Sequence, residues 1–234
     1  CAARAQGPND AVIPLGYPAR TRADVTKTCQ ARAKLESLGV NFSQTLISFI
    51  GTFGRSYDLL TVIEAAKTLS PNKDLQFVLC GDGDQDVDWR AQAKDLPNVV
   101  FPGWVDQIEI TTLLDASTLG LAAYAPGVKQ GLPNKFFEYM SFGLPVVSSL
   151  RGEAAAEIKS QGIGRSYKAG NAVDLVEVLT AILADPRGLT QMARAAKERF
   201  DSSYKQSVVY PRYVDLVKCV AEDYYTEKKT FPEA

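Results

Sequence analysis

The sequence predicts an α/β protein built on a Rossmann-like, doubly wound parallel sheet of about six strands. Three observations lead there. Short β-branched and apolar runs alternate with longer helical patterns, the connections between them are short, and glycine recurs just past the apolar runs. In chain order, a mixed-charge helix is expected around Asp24–Leu38, then a buried strand at Thr45–Ile50. Tyr57–Leu69 follows as a helix carrying Leu60, Ile63, Leu69 and an Ala65–Ala66 face. Leu75–Cys80 and Asn98–Phe101 read as the next strands, Ile108–Ala116 as a helix, and Leu119–Tyr124 as a fourth strand. Pro133–Phe142 is a helix because proline suits a first helical turn. Pro145–Ser148 and the weaker Ile163–Tyr167 complete the strands, with helices at Glu153–Lys159 and Ala172–Leu183. Tyr210, Tyr213, Val217, Val220 and Tyr224 recur at helical spacing after Pro211, giving a final amphipathic helix with an aromatic stripe. That stripe packs either on its own domain or on another one.

Composition narrows the function. The 234 residues are 46% hydrophobic and 23% charged, which excludes disordered and coiled-coil classes. A net charge of −1 argues against a nucleic-acid partner, which calls for a basic surplus. The absence of histidine removes His-based triads and His-containing zinc sites. Cys1, Cys29, Cys80 and Cys219 are widely spaced with no CxxC pair, as in a reduced compartment. No uncharged run is apolar enough to span a membrane, and the first residue is Cys1 rather than Met, as expected of part of a longer protein.

In open α/β sheets ligands bind beyond the carboxyl ends of the strands. The loops there are Gly51-Thr52-Phe53-Gly54-Arg55-Ser56, Gly81-Asp82-Gly83-Asp84, Gly103-Trp104-Val105-Asp106, and the stretch from Ala125 to Lys135. The strongest local feature is QGLPNKFFEYMSFG at 130–143. Pro133 opens a helix whose free amides, with Lys135 beside them, would form an anion site. Phe136, Phe137, Tyr139, Met140 and Phe142 surround that helix, so Glu138 is expected in apolar surroundings. A carboxylate there needs donors, either an internal Arg or Lys or the two hydroxyls of a ligand cis-diol. Two other motifs fail. Asp82, Asp84, Asp86 and Asp88 resemble a calcium loop, but Val87 and Ala93 stand where Gly and Glu are required. Gly81-Asp82-Gly83 is not completed to GxGxxG, because residue 86 is Asp.

The order of motifs resembles the C-terminal, donor-binding half of glycosyltransferase family 4, whose GT-B fold sets two Rossmann-like domains face to face. The similar elements are IPLGY (13–17), FIGTFGRSYDLLTVIEAA (49–66), FVLCGDGD (77–84), NVVFPGWVD (98–106) and GLPNKFFEYMSFGLPVVSS (131–149). The resemblance implies a retaining transferase that uses a nucleotide-diphospho-sugar, uridine-linked rather than guanosine-linked, with no metal and no other cofactor. It places the donor ribose on Glu138 and the donor sugar at Gln130, Gly131 and Leu132, with Gln130 standing where the family has a first Glu. The diphosphate falls to Arg55, Lys135, Gly51, Thr52, Pro133 and Asn134, and the base to Gly81, Asp82, Gly83, Trp104 and Val105. It divides the chain into a linker with its helix (1–44), a nucleotide-sugar domain (45–202) and a crossover helix (203–234). An N-terminal domain binding an acceptor saccharide or lipid-linked saccharide is expected elsewhere in the polypeptide, so this portion alone should not turn over. Residence in the cytoplasm, or peripherally at the inner membrane, follows. The resemblance leaves two alternatives, a GT-B sugar-nucleotide epimerase and a non-catalytic binding module.

Overall fold

A computed structural model describes residues 11–20 and 24–230. Its centre is a six-stranded, wholly parallel sheet in the order β3-β2-β1-β4-β5-β6. The elements are α1 (Val25–Ser37), β1 (Thr45–Ile50), α2 (Leu59–Leu69), β2 (Leu75–Cys80), α3 (Asp86–Ala93), β3 (Val99–Gly103), α4 (Gln107–Ala116) and β4 (Ser117–Ala122). α5 (Asn134–Ser141), β5 (Val146–Ser148), α6 (Glu153–Gln161), β6 (Gly164–Ser166), α7 (Ala172–Leu183), α8 (Pro186–Ser203) and α9 (Gln206–Thr230) follow. The expected fold class is observed.

The central strands read as unbroken apolar runs because both faces are covered. Along β1, Leu46 and Ile50 enter one core while Ile47 and Phe49 enter the other. The first core lies under α4, α5, α6 and α8, through Leu113, Leu114, Phe136, Phe137, Ile158 and Phe200. The second lies under α2, α3 and α7, through Val62, Ala66, Trp89, Leu175 and Leu179. Side-chain caps set several helix starts: Asp58 accepts from Thr61, Asp106 and Glu109 form a capping box, and Asp185 precedes Pro186 at the head of α8.

The structure departs from expectation at identifiable places. β3 runs two residues further than Phe101, because the pairing with β2 resumes after a register shift, at Gly103 beside Cys80. β4 begins at Ser117 and β6 is only Gly164–Ser166. α3 starts at the third of the alternating aspartates, Asp86, and α8 covers a span assigned no helix from sequence. Pro211 does not open the last helix: α9 begins at Gln206, so the proline sits inside it. Tyr213, Val217 and Val220 are exposed, whereas the side chain of Tyr224 and all of Cys1 lie outside the described residues. Cys80 is buried in the first core and, like Cys29 and Cys219, is unpaired. No helix among the described residues is long and apolar enough to cross a membrane.

The segment before α1 is tied to the start of α9. Tyr17 N–H donates to the Tyr204 carbonyl at 2.8 Å, and Gln206 N–H donates to the Tyr17 carbonyl at 2.9 Å. This brings the Tyr17 ring to 6.3 Å from that of Phe137 on α5, which also meets the Tyr204 ring at 4.8 Å in a tilted contact.

Candidate functional site at the strand switch point

The strand order reverses direction between β1 and β4, which opens a crevice at their carboxyl ends. Three loops close one side of it. Gly51 N–H donates to Cys80 O at 3.0 Å, Phe53 N–H to Asp82 O at 2.8 Å, and Gly81 N–H to Gly103 O at 2.9 Å. Gly81 has φ +151°, and an added Cβ would overlap the Gly51 carbonyl oxygen and the Phe53 ring. Its glycine is therefore required by the packing of one loop on another, a demand the sequence cannot distinguish from close approach to a ligand. On the other side, Tyr57 and Tyr124 form an isolated bridge with rings 4.9 Å apart. A cavity of about 210 Å³ lies there, lined by Tyr57, Tyr124, Gln130, Leu132, Pro133, Asn134 and Lys135. A larger apolar groove of about 510 Å³, between Ile13–Gly16 and Val209, Tyr210 and Tyr213, contains none of the predicted site residues.

Lys135 is buried, unlike the solvent-facing cation its position beside a helix start suggests. Its ammonium donates to the Ile50 carbonyl at the end of β1 and fills the space above Gly51, where any side chain would collide with it. It sits 4.3 Å from the Phe49 ring centre and 4.8 Å from that of Tyr57, so aromatic faces replace part of its lost hydration. Burial lowers its pKa to about 8, with the nearby Glu138 charge opposing that fall.

Glu138 follows one turn later on the same helix and is half-buried. Burial raises its pKa, while the Lys135 charge and a hydrogen bond from the Tyr17 hydroxyl pull it back. The same contact, added to burial, raises the pKa of Tyr17. Of the two donor sources that residue chemistry left open, the internal one is present as Lys135 and is joined by the Tyr17 phenol, yet burial still dominates. Tyr139, fully buried, points its hydroxyl the other way, donating to Leu121 O at 3.0 Å and accepting from Ile50 N–H at 3.3 Å.

The remaining predicted residues fall around this centre. Gln130, Gly131 and Asn134 are exposed, Leu132 is half-buried against the first core, and Pro133 is buried as the residue capping α5. Thr52 and Arg55 are exposed on the β1–α2 loop, and Arg55 makes no ion pair among the described residues. In the base-binding set, Gly81 is buried, Gly83 is half-buried, and Asp82 turns its carboxylate onto the Gly83 amide at 2.7 Å. Trp104 is 75% exposed beside a buried Val105 whose side chain belongs to the core, which leaves only its backbone for a ligand. Sequence reasoning missed Tyr17, Tyr57 and Tyr124 as members of the site. Tyr17 and Tyr57 carried a signal, their places in the IPLGY and FIGTFGRSYDLLTVIEAA motifs, whereas Tyr124 carried none.

The pattern described as glycosyl transferases group 1 matches residues 44–185, more than half of the chain. The amylovoran biosynthesis glycosyltransferase AmsK of Erwinia amylovora is 25% identical over 166 residues, covering 68% of this chain and 41% of that protein. Among solved structures, WaaG, a glycosyltransferase involved in lipopolysaccharide biosynthesis, superposes with a TM-score of 0.66 at 21% identity, over 86% of this chain and 55% of that one. Anabaena HepE in complex with UDP gives 0.72 at 16%, over 89% and 57%. The C-terminal domain of the group 1 glycosyl transferase LpcC from Francisella tularensis gives 0.61 at 19%, over 82% and 96%. At these identities the solved structures show the fold, and the chain spans less than half of AmsK and little more than half of WaaG and HepE. On the family match, laid over the sheet and the switch-point loops, the chain belongs to the glycosyl transferases group 1 family.

Proposed function

We propose that this chain is the donor-binding half of a retaining, family 4 glycosyltransferase that builds a polysaccharide or glycolipid from a nucleotide-diphospho-sugar. The observation that carries the reading is the pairing on α5 of a buried cation and a half-buried carboxylate, one turn apart, at the sheet's switch point. Lys135 and the free amides at the head of α5 suit a diphosphate; Glu138 suits the ribose diol. Exposed Arg55 on the facing loop is free to clamp the diphosphate bidentately as it leaves. Gly81, Asp82, Gly83, Trp104 and Val105 then border the base, and Gln130, Gly131 and Leu132 the sugar. No metal is needed for this charge balance. The near end-to-end likeness to an isolated C-terminal domain supports the assignment of 45–202 as the donor domain, with 1–44 as linker and 203–234 as crossover helix. Neighbours solved with UDP support a uridine donor. The acceptor, a saccharide or lipid-linked saccharide, and the groups that act on it are assigned to the rest of a cytoplasmic or peripherally membrane-bound polypeptide.

A panel of UDP, GDP, ADP and CMP tests the reading by thermal shift. A nucleotide at one hundred times its Kd should add about 2.7 kcal/mol of stability. No shift with any of them at millimolar concentration would reduce the chain to a non-catalytic module of the same fold.

Lys135 adds a pH signature. A diphosphate needs its ammonium form, whereas the free site releases that proton near pH 8. Nucleotide affinity should therefore fall by up to roughly tenfold per unit as pH rises above about 8, with proton uptake on binding. Titration of the Lys135→Gln variant should be weaker throughout and flat over that range; an equal slope in both proteins would take Lys135 out of the diphosphate site.

A further inference from the structure

Glu153 is the first residue of α6, just beyond the carboxyl end of β5, and it is exposed. Among the described residues it makes no ion pair. Its carboxylate instead reaches the β4–α5 loop, where Oε2 lies 2.7 Å from the place a Cβ on Gly131 would occupy. Helix amides alone would welcome a carboxylate at 153. They do not account for the glycine at 131. The φ of Gly131 lies outside the left-handed region, so the backbone does not demand glycine there. Among the described residues, chain neighbours aside, only the Glu153 carboxylate lies within 4 Å of a Cβ at that position. The absent side chain leaves that space to the Glu153 carboxylate. Gln130 and Leu132, on either side of Gly131, line the cavity that Lys135 closes. Glu153 accordingly stands at the rim of the proposed donor site, a carboxylate acceptor with no protein donor among the described residues. A second carboxylate at 130 would repel it, and the neutral Gln130 amide offers donors and an acceptor instead.

We propose that Glu153 binds the hydroxyl groups of the donor's hexose and selects a neutral hexose over a hexuronic acid, an inference that rests on the donor reading above. Two vicinal hydroxyls match the two oxygens of a carboxylate, as they would at Glu138 for the ribose. A sugar carboxylate in the same place would meet a like charge.

Isothermal titration of the 234-residue chain with UDP, UDP-glucose, UDP-galactose, UDP-N-acetylglucosamine and UDP-glucuronate separates this role from the rest of the site. Glu153→Gln should weaken the preferred neutral UDP-hexose by roughly tenfold, leave UDP within about twofold, and narrow the gap to UDP-glucuronate. Gly131→Ala should do the same by a separate route, since its Cβ meets only the end of a flexible side chain and would push the carboxylate aside. Unchanged UDP affinity shows that each variant keeps its fold. Wild-type hexose binding in both variants, or equal losses for UDP and the UDP-hexose, overturns the role of Glu153 and leaves the donor reading standing. A wild-type chain that binds UDP but none of the UDP-hexoses has the same consequence. A wild-type chain that binds none of these nucleotides removes the donor reading and this inference together.

Discussion

Replacing Glu138 with alanine should leave a folded protein that no longer distinguishes UDP from its 2′-deoxy counterpart. Each hydrogen bond to a charged acceptor contributes about 1.5–3 kcal/mol, so losing a ribose diol contact should weaken UDP by roughly a hundredfold or more. The deoxy nucleotide, which offers one hydroxyl fewer, should lose much less. Stability should not suffer in step. The folded-state pKa of Glu138 is raised, chiefly by burial, so its charged form is disfavoured by the fold. A group held above its unfolded pKa binds more protons when folded, and stability falls as pH climbs out of the ordinary carboxylate range. Glu138→Gln should flatten that slope, and Glu138→Ala should melt no lower than expected for the loss of a half-buried side chain. A fold that tolerates an unfavourable charge near its switch point is behaving as binding sites do. Calorimetric titration of the two nucleotides decides the matter: unchanged UDP affinity in Glu138→Ala would place the ribose elsewhere.

Gly81→Ala should have the largest effect on stability. The residue sits at φ +151°, and its Cβ would coincide with the Gly51 carbonyl oxygen and press on the Phe53 ring. Neither neighbour can retreat. Gly51 is held by the Cys80 carbonyl, and Phe53 is fully buried against Trp89 and Phe101, with ring centres 5.2 and 6.1 Å away. Strained backbone and overpacking each cost about 1–3 kcal/mol, and here they coincide. A loss of about 3–4 kcal/mol should lower the melting temperature by roughly 10 °C. Melting within a degree or two of wild type would show that the loops after β1 and β2 are far more compliant than their packing indicates. Because those loops carry Thr52, Arg55 and residues proposed to border the base, nucleotide affinity should decline as well.

The sheet was legible because burial on both faces leaves a continuous apolar run, and Thr45–Ile50 and Leu75–Cys80 are found where that pattern puts them. β6 was weak for the opposite reason: at the sheet's edge, Arg165 and Ser166 are exposed and leave no pattern. α8 is polar along most of its length and buries chiefly Met192, Ala196 and Phe200, although Asp185-Pro186 was a readable start signal. Pro211 does not set the boundary, because a first turn tolerates proline without requiring the helix to begin there, and here the helix starts five residues earlier at Gln206. At the site, apolar neighbours on α5 correctly marked Glu138 as needing donors. The burial of Lys135 under Gly51 was not visible, since it depends on the end of β1 meeting the side of α5. The same holds for Tyr17, which reaches Glu138 only because the segment before α1 is laid against Tyr204 and Gln206.

That last attachment has a mechanical consequence. Tyr17 and Lys205 pair in parallel, so the chain preceding one and the chain following the other depart in opposite directions. Tension between the flanks would therefore pull the two hydrogen bonds at Tyr17 in shear, both resisting at once, rather than peeling them apart in turn. The sheet and its cavity lie between the two clamped points and would feel little of that force. Tyr17, at the clamp itself and in contact with Glu138, is where strain from outside would first reach the site.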